Sequence, residues 1–129
     1  VRAQDQAGNA DGNTKEVSAT TMTITLSKQV QPIFTANCAS AGCHTGARPA
    51  QGLDLSSGKS YSQLVGVHST ECTATMRVAA GSPSTSYLAW KLQGSGACFF
   101  GTKMPKTGSL SASDLNTILG WISEGAPAN

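Results

Sequence analysis

Charge is scarce in this chain. Only 12% of its 129 residues are Asp, Glu, Lys or Arg, and the formal net charge is +2. No Lys/Arg cluster stands out, so there is no basic footprint of the kind nucleic-acid binding needs. Aromatic residues are also few, at 5%. No run is long and apolar enough to span a membrane as a helix. The chain begins at Val1, not Met, and no signal peptide is present; the expectation is a processed or excised piece of a longer secreted protein. What is plentiful is glycine, 14 residues, set among small polar residues in a chain that is 39% hydrophobic. That composition suits a compact, loop-rich domain better than a long-helix bundle. The length allows one domain with a real core, or a small domain plus an extension.

Four cysteines are present and divide into two pairs. The first pair lies in Cys38-Ala-Ser-Ala-Gly-Cys43-His44. Two cysteines with a histidine directly after the second form the attachment signature of a c-type haem. The two sulfurs add to the porphyrin vinyl groups, and the adjacent histidine reaches the iron from one face. The usual spacing has two residues between the cysteines; this chain has four. A longer bulge can still bring both sulfurs to the porphyrin edge. A haem would also supply the large apolar object that an aromatic-poor core lacks, and its two propionates would roughly cancel the net charge. The other readings of this run are a disulfide or part of a zinc site. Zinc requires four ligands, and only His68, Cys72 and Cys98 remain, without paired spacing.

Cys72 and Cys98 flank the segment leading to Met104. A disulfide between them would close a 27-residue loop, worth ~3 kcal/mol in the chain-entropy picture. The alternative is two free buried thiols. Disulfides persist in the periplasm or outside the cell, where c-type haem is also attached. Both features therefore predict a periplasmic or extracellular bacterial location.

Along the chain, residues 1–26 differ from the rest. Val1–Asp5 can form a short strand, Gln6–Asn9 is turn chemistry, and Glu16–Thr25 is β-branched and extended. "VRAQDQAGN" followed by "KEVSATT" resembles the last two strands of a fibronectin type III or related Ig-like domain. A plain linker is the other reading. A hairpin of this kind has open edges, which would pack on the following domain or pair with a second copy to make a dimer. From Ser27 the pattern becomes helical, with Val30, Ile33 and Phe34 on one face. Pro32 is tolerated only in a first turn, so this helix starts near Val30 or Gln31. Lys59–Val65 predicts a short helix, and Ser82-Pro83 opens another with Tyr87, Leu88 and Leu92 on its apolar side, ending at Gly94. Residues 94–110 form a Gly-rich loop. Ser111–Asp114 is a capping-box-like start to a last helix with Leu115, Ile118, Leu119 and Ile122 in one stripe, stopping at Gly125 with Pro127 beyond.

Met104 is the best candidate for the second axial ligand, since a thioether stabilises ferrous iron. It follows a Gly-rich loop, precedes the terminal helix, and has Pro105 to stiffen the loop behind it. Met76 and His68 are the rivals; Met104 as core filler is the bland alternative. Leu53 and Leu55, extended, would put two leucines over one haem face. Arg77 is either a partner for a haem propionate or an ordinary solvated arginine. Lys103 and Lys106 bracket Met104 and would form a weak basic collar able to steer an acidic redox partner.

The blocks "VQPIFTANCASAGCHTG", "GLDLSSG", "GSPSTSYLAWKLQG", "MP" and "LSASDLNTILGWISEGA" together resemble a class I-type monohaem cytochrome c over residues 28–126. The likeness is strongest to cytochrome c domains attached to larger secreted bacterial proteins. It implies a mainly α fold, a small helical shell around one covalent haem with N- and C-terminal helices crossing, occupying residues 27–129. It places Phe34 against Ile118 and Trp121. It makes Cys38 and Cys43 the thioether sites, His44 the proximal ligand and Met104 the distal one. The cofactor implied is one haem c with its iron.

The leading expectation is one-electron transfer by a six-coordinate haem rather than enzymatic catalysis. Its partner would be a redox protein or another haem domain of the parent chain. A runner-up is an enzyme or sensor with an open distal site, for which His68 is the one histidine left to act as acid–base group. A third is a haem-free, disulfide-stapled binding module.

Overall fold

A computed structural model describes residues 23–40, 42–106 and 108–129. The strand remnant expected over residues 1–26 therefore lies, up to residue 22, outside the described residues, as does its role in pairing with a second copy. The architecture is mainly helical. Among the described residues β structure is confined to isolated bridges, Val65 with Val78, His68 with Met76, and Met76 with Ser86.

The first helix starts at Gln31, where its proline places it, and a coiled turn precedes it. A π-turn over Leu26–Val30 leads into α1, Gln31–Asn37. Thr25 is extended and its hydroxyl accepts the Lys28 N–H, while the Gln29 side-chain oxygen accepts the Thr25 N–H. This reciprocal arrangement satisfies donors that a helix start leaves open. Pro32 sits in the first turn of α1, where its missing N–H costs nothing. The expected face is the buried one: Val30, Ile33 and Phe34 join Leu26 in the core.

The middle of the chain is loops pinned by short helices. A 3₁₀ turn, Ala50–Gly52, precedes the extended Leu53–Leu55 strip. The helix α2, Ser60–Leu64, buries Leu64. A second 3₁₀ turn, Pro83–Thr85, leads into α3, Tyr87–Gln93, which ends on Gly94 in the left-handed region. Tyr87, Leu88 and Leu92 are buried as the periodicity predicts. A disulfide joins Cys72 to Cys98, which resolves the second cysteine pair in favour of the bridge.

The last helix, α4, spans Ala112–Ser123, and the Ser111 hydroxyl accepts the Asp114 N–H at 3.0 Å. Its core stripe is Ile118, Trp121 and Ile122, all fully buried, whereas Leu115 and Leu119 are half-buried. The indole of Trp121 donates to the Pro127 carbonyl at 2.9 Å, tying the tail back onto the helix. The Leu26–Val30 turn packs on α4. Ser27 N–H donates to the Asn129 carbonyl, and Ile24 N–H to the Glu124 carboxylate. Gly120 permits this approach, because a Cβ there would stand 2.7 Å from Ile24 Cδ1. Phe34, Ile118 and Trp121 belong to one continuous core cluster, together with Leu55, Leu64 and Val78.

Candidate haem-binding site

The segment after α1 turns sharply. Cys38 N–H still donates to the Phe34 carbonyl, as in a helix, and Cys43 N–H donates to the Ser40 carbonyl. His44 N–H then reaches back to the Cys38 carbonyl at 3.1 Å. This bond brings the two ends of the cysteine run together, and Gly42 is in the left-handed region at φ 81°. Both sulfurs are free thiols; Cys38 is buried and Cys43 exposed. Burial, followed by the nearby Cys43, pushes the Cys38 thiol up to about 11, so it carries little thiolate character at neutral pH.

The His44 ring is oriented by backbone. Its Nδ1 lies 3.2 Å from the carbonyl oxygens of both Ala50 and Leu53. A carbonyl can only accept, so Nδ1 is the donor in these contacts, and Nε2 is the ring nitrogen they leave open. The loop itself is held by Ala50 N–H on the Cys43 carbonyl and Leu55 N–H on the His44 carbonyl.

A small, mostly apolar cavity of about 70 Å³ lies beside this loop. Cys38, His44, Leu53, Leu55 and Met104 are all in its wall, together with Leu64, Leu88 and Leu92. A second opening of about 350 Å³ carries Cys43, Pro105 and Lys106, and it shares Cys38, His44 and Met104 with the first. The three shared residues are two that the attachment motif singles out and the methionine expected as second ligand. Leu53 and Leu55 reach the cavity because the strip is extended; Asp54 between them is turned to Ser56 and Lys59 instead. The Ser56 hydroxyl and N–H, with Lys59, hold the Asp54 carboxyl below its usual range.

The rivals for the second ligand position fall elsewhere. His68 and Met76 are exposed and line neither opening. Among the described residues no three His, Cys, Asp or Glu side chains converge as a metal site. Two of the ligands a zinc site would draw on, Cys72 and Cys98, are consumed by the disulfide. Arg77 lines the cavity but is not a solvated arginine: it is buried, and its guanidinium donates to the Gln63 and Gln51 carbonyls at 2.9 and 3.0 Å. That burial lowers its pKa, although a guanidinium remains charged at any ordinary pH. Two such bonds leave further N–H donors unassigned. Lys103 and Lys106 are exposed on either side of Met104.

One group of cavity residues escaped the sequence reading. Glu71, Tyr87 and Lys91 form a connected polar cluster in the wall. The Tyr87 hydroxyl donates to Glu71 at 2.7 Å, and burial, then that carboxylate, raises the phenol to about 12. Lys91 shares the core face of α3 with Leu88 and Leu92, one turn from Tyr87. A lysine falling inside an apolar helical stripe was the available signal.

The set suits an iron porphyrin. Two unpaired thiols, one imidazole oriented by backbone carbonyls, one thioether and leucine walls are groups that an iron macrocycle with two vinyl groups would use. The buried Arg77 guanidinium in the wall is a group its carboxylates would pair with. No protein-family model, curated protein or solved structure matches this chain. Among the described residues no helix is long and apolar enough to cross a membrane.

Proposed function

We propose that this chain is a monohaem cytochrome c domain that transfers single electrons. In this reading Cys38 and Cys43 hold the haem covalently, His44 is the proximal ligand and Met104 the distal one. The observation that carries the proposal is the convergence of Cys38, His44 and Met104 on the boundary shared by both openings. When bound, the haem supplies a reversible one-electron couple. The protein's own part is to exclude water with Leu53, Leu55, Leu64 and Leu88, to fix His44 through the Ala50 and Leu53 carbonyls, and to meet the propionates with Arg77. A thioether opposite His44 favours the ferrous state and raises the potential. If His44 and Met104 both held the iron, no position would remain on it for a substrate, and the group would supply electron transfer alone. An open-site haem enzyme would leave Met104 off the iron, although Met104 lines the cavity, and His68, the histidine that reading would use, does not. The Cys72–Cys98 disulfide supports an oxidising compartment, the periplasm or cell exterior. Lys103 and Lys106 beside Met104 suit an acidic redox partner, with attraction that fades as salt rises.

The test is an absorption spectrum of protein made in a host able to attach haem, taken after acid–acetone extraction. Retained colour with a weak far-red methionine–iron band in the oxidised form is the expected result. Met104→Ala should remove that band, lower the reduction potential and admit external ligands. Protein that stays colourless would leave the disulfide-stapled binding module as the surviving reading.

A further inference from the structure

We infer that Lys91 is the positioning residue for Met104, clamping the loop that presents the thioether to the cavity. The inference rests on the His44/Met104 reading above. A lysine is almost never fully buried unless it is paired, yet Lys91 is only 8% exposed. Its partners explain where it is used. The ammonium donates to the Phe100 carbonyl at 2.8 Å, stands 3.3 Å from a Glu71 oxygen, and lies 5.2 Å from the Phe99 ring centroid. Its main-chain carbonyl accepts the Met104 N–H at 2.8 Å. One residue therefore grips residues 99–104 at both ends.

The rest of the cluster serves the same loop. The Tyr87 hydroxyl, donating to Glu71, accepts the Phe100 N–H at 3.1 Å. The disulfide joins Cys72, next to Glu71, to Cys98, two residues before Phe100. The loop has little else to hold it. Gly94 and Gly101 are in the left-handed region, and the Phe100 side chain is 66% exposed. Phe100 is thus fixed by its backbone and not by its ring. Buried ion pairs often add little net stability. Here the donors left over from the pair are spent on loop backbone, so their effect is on position.

The experiment uses the full-length haem protein with Lys91→Met, which keeps the length and removes the charge, and Lys91→Arg, which keeps donors. Three quantities are read: the ferric far-red band, imidazole affinity of the ferric iron, and amide hydrogen exchange at Phe100 and Met104. Lys91→Met should weaken the band, tighten imidazole binding by about tenfold, and speed exchange at both amides. Lys91→Arg should recover part of each. Tyr87→Phe removes one hydroxyl without changing shape and should speed exchange at Phe100, which keeps the idea testable if Lys91→Met does not fold. Unchanged band, affinity and exchange in Lys91→Met, or unchanged Phe100 exchange in Tyr87→Phe, overturn the clamp. A wild type without covalent haem, or Met104→Ala that keeps the band, overturns the haem assignment instead. The exchange measurements, which need no haem, still judge the clamp in that event.

Discussion

Replacing Trp121 by alanine tests the packing on which the site depends. The indole is fully buried, in the same cluster as Phe34 of α1 and Ile118 of α4. It helps hold the helix that delivers Cys38 against the end of the chain. A large aromatic removes roughly 150–250 Å² from water. At about 25 cal/mol per Å² the upper value is ~6 kcal/mol, of which alanine keeps a fraction. The lost indole bond to the Pro127 carbonyl adds ~1 kcal/mol. The expected destabilisation is about 4 kcal/mol, within the usual range of roughly 3–5 for aromatic-to-alanine changes in cores. For a domain of this size that lowers Tm by about 15–30 °C. Trp121→Phe keeps most of the apolar contact and should cost about 1–2 kcal/mol. The assay is urea unfolding followed by far-UV circular dichroism, because the substitution itself alters tryptophan fluorescence. A loss below ~1 kcal/mol in Trp121→Ala, with an unchanged denaturant slope, would refute this account of the core.

Three further outcomes are expected. Replacing Cys72 and Cys98 together by serine should cost about 3 kcal/mol and leave the haem attached; haem loss on acid–acetone extraction would show that these cysteines, and not Cys38 and Cys43, carry it. In protein made without haem, iodoacetamide should modify exposed Cys43 well before Cys38, whose thiol is raised to about 11 by burial; equal rates by peptide mapping would contradict the buried placement of Cys38. The Asp54 carboxyl has its pKa below an ordinary aspartate's 3.8 in the folded state, so the stability it contributes is present above that value and lost as pH falls through the folded pKa. Asp54→Asn should therefore be less stable than wild type near neutral pH, with the gap closing in strong acid; a gap independent of pH would remove Asp54 from the account.

Much of this protein was legible one turn at a time. The Ser111 cap, the Gly94 stop, the Pro32 position and the apolar faces of α1, α3 and α4 depend on residues within a few positions of one another, so the sequence carries them directly. The cysteine–histidine run is local too. Its longer spacing closes through a bond from His44 back to Cys38, and His44 is oriented by carbonyls only a short loop away. The first helix starts at Gln31, as the proline predicts, and the π-turn before it is the part the proline does not report.

What tertiary structure alone decided lies between residues far apart in the chain. Met104 faces the same cavity as His44, while Met76 and His68, equally eligible by residue type, stand outside it. Arg77 donates to carbonyls of α2 and of the Ala50–Gly52 turn, and Gly120 leaves room for Ile24. Lys91 falls inside the apolar stripe of α3, but its partners, Glu71 and the Phe100 carbonyl, are supplied only by the fold. The physical reason is the same in each case. Residue type and local spacing set what a side chain can do within its own turn of backbone. Whether a charge is solvated or buried, and whether a thioether lines a cavity or fills a core, depends on which distant segments the folded chain brings beside it.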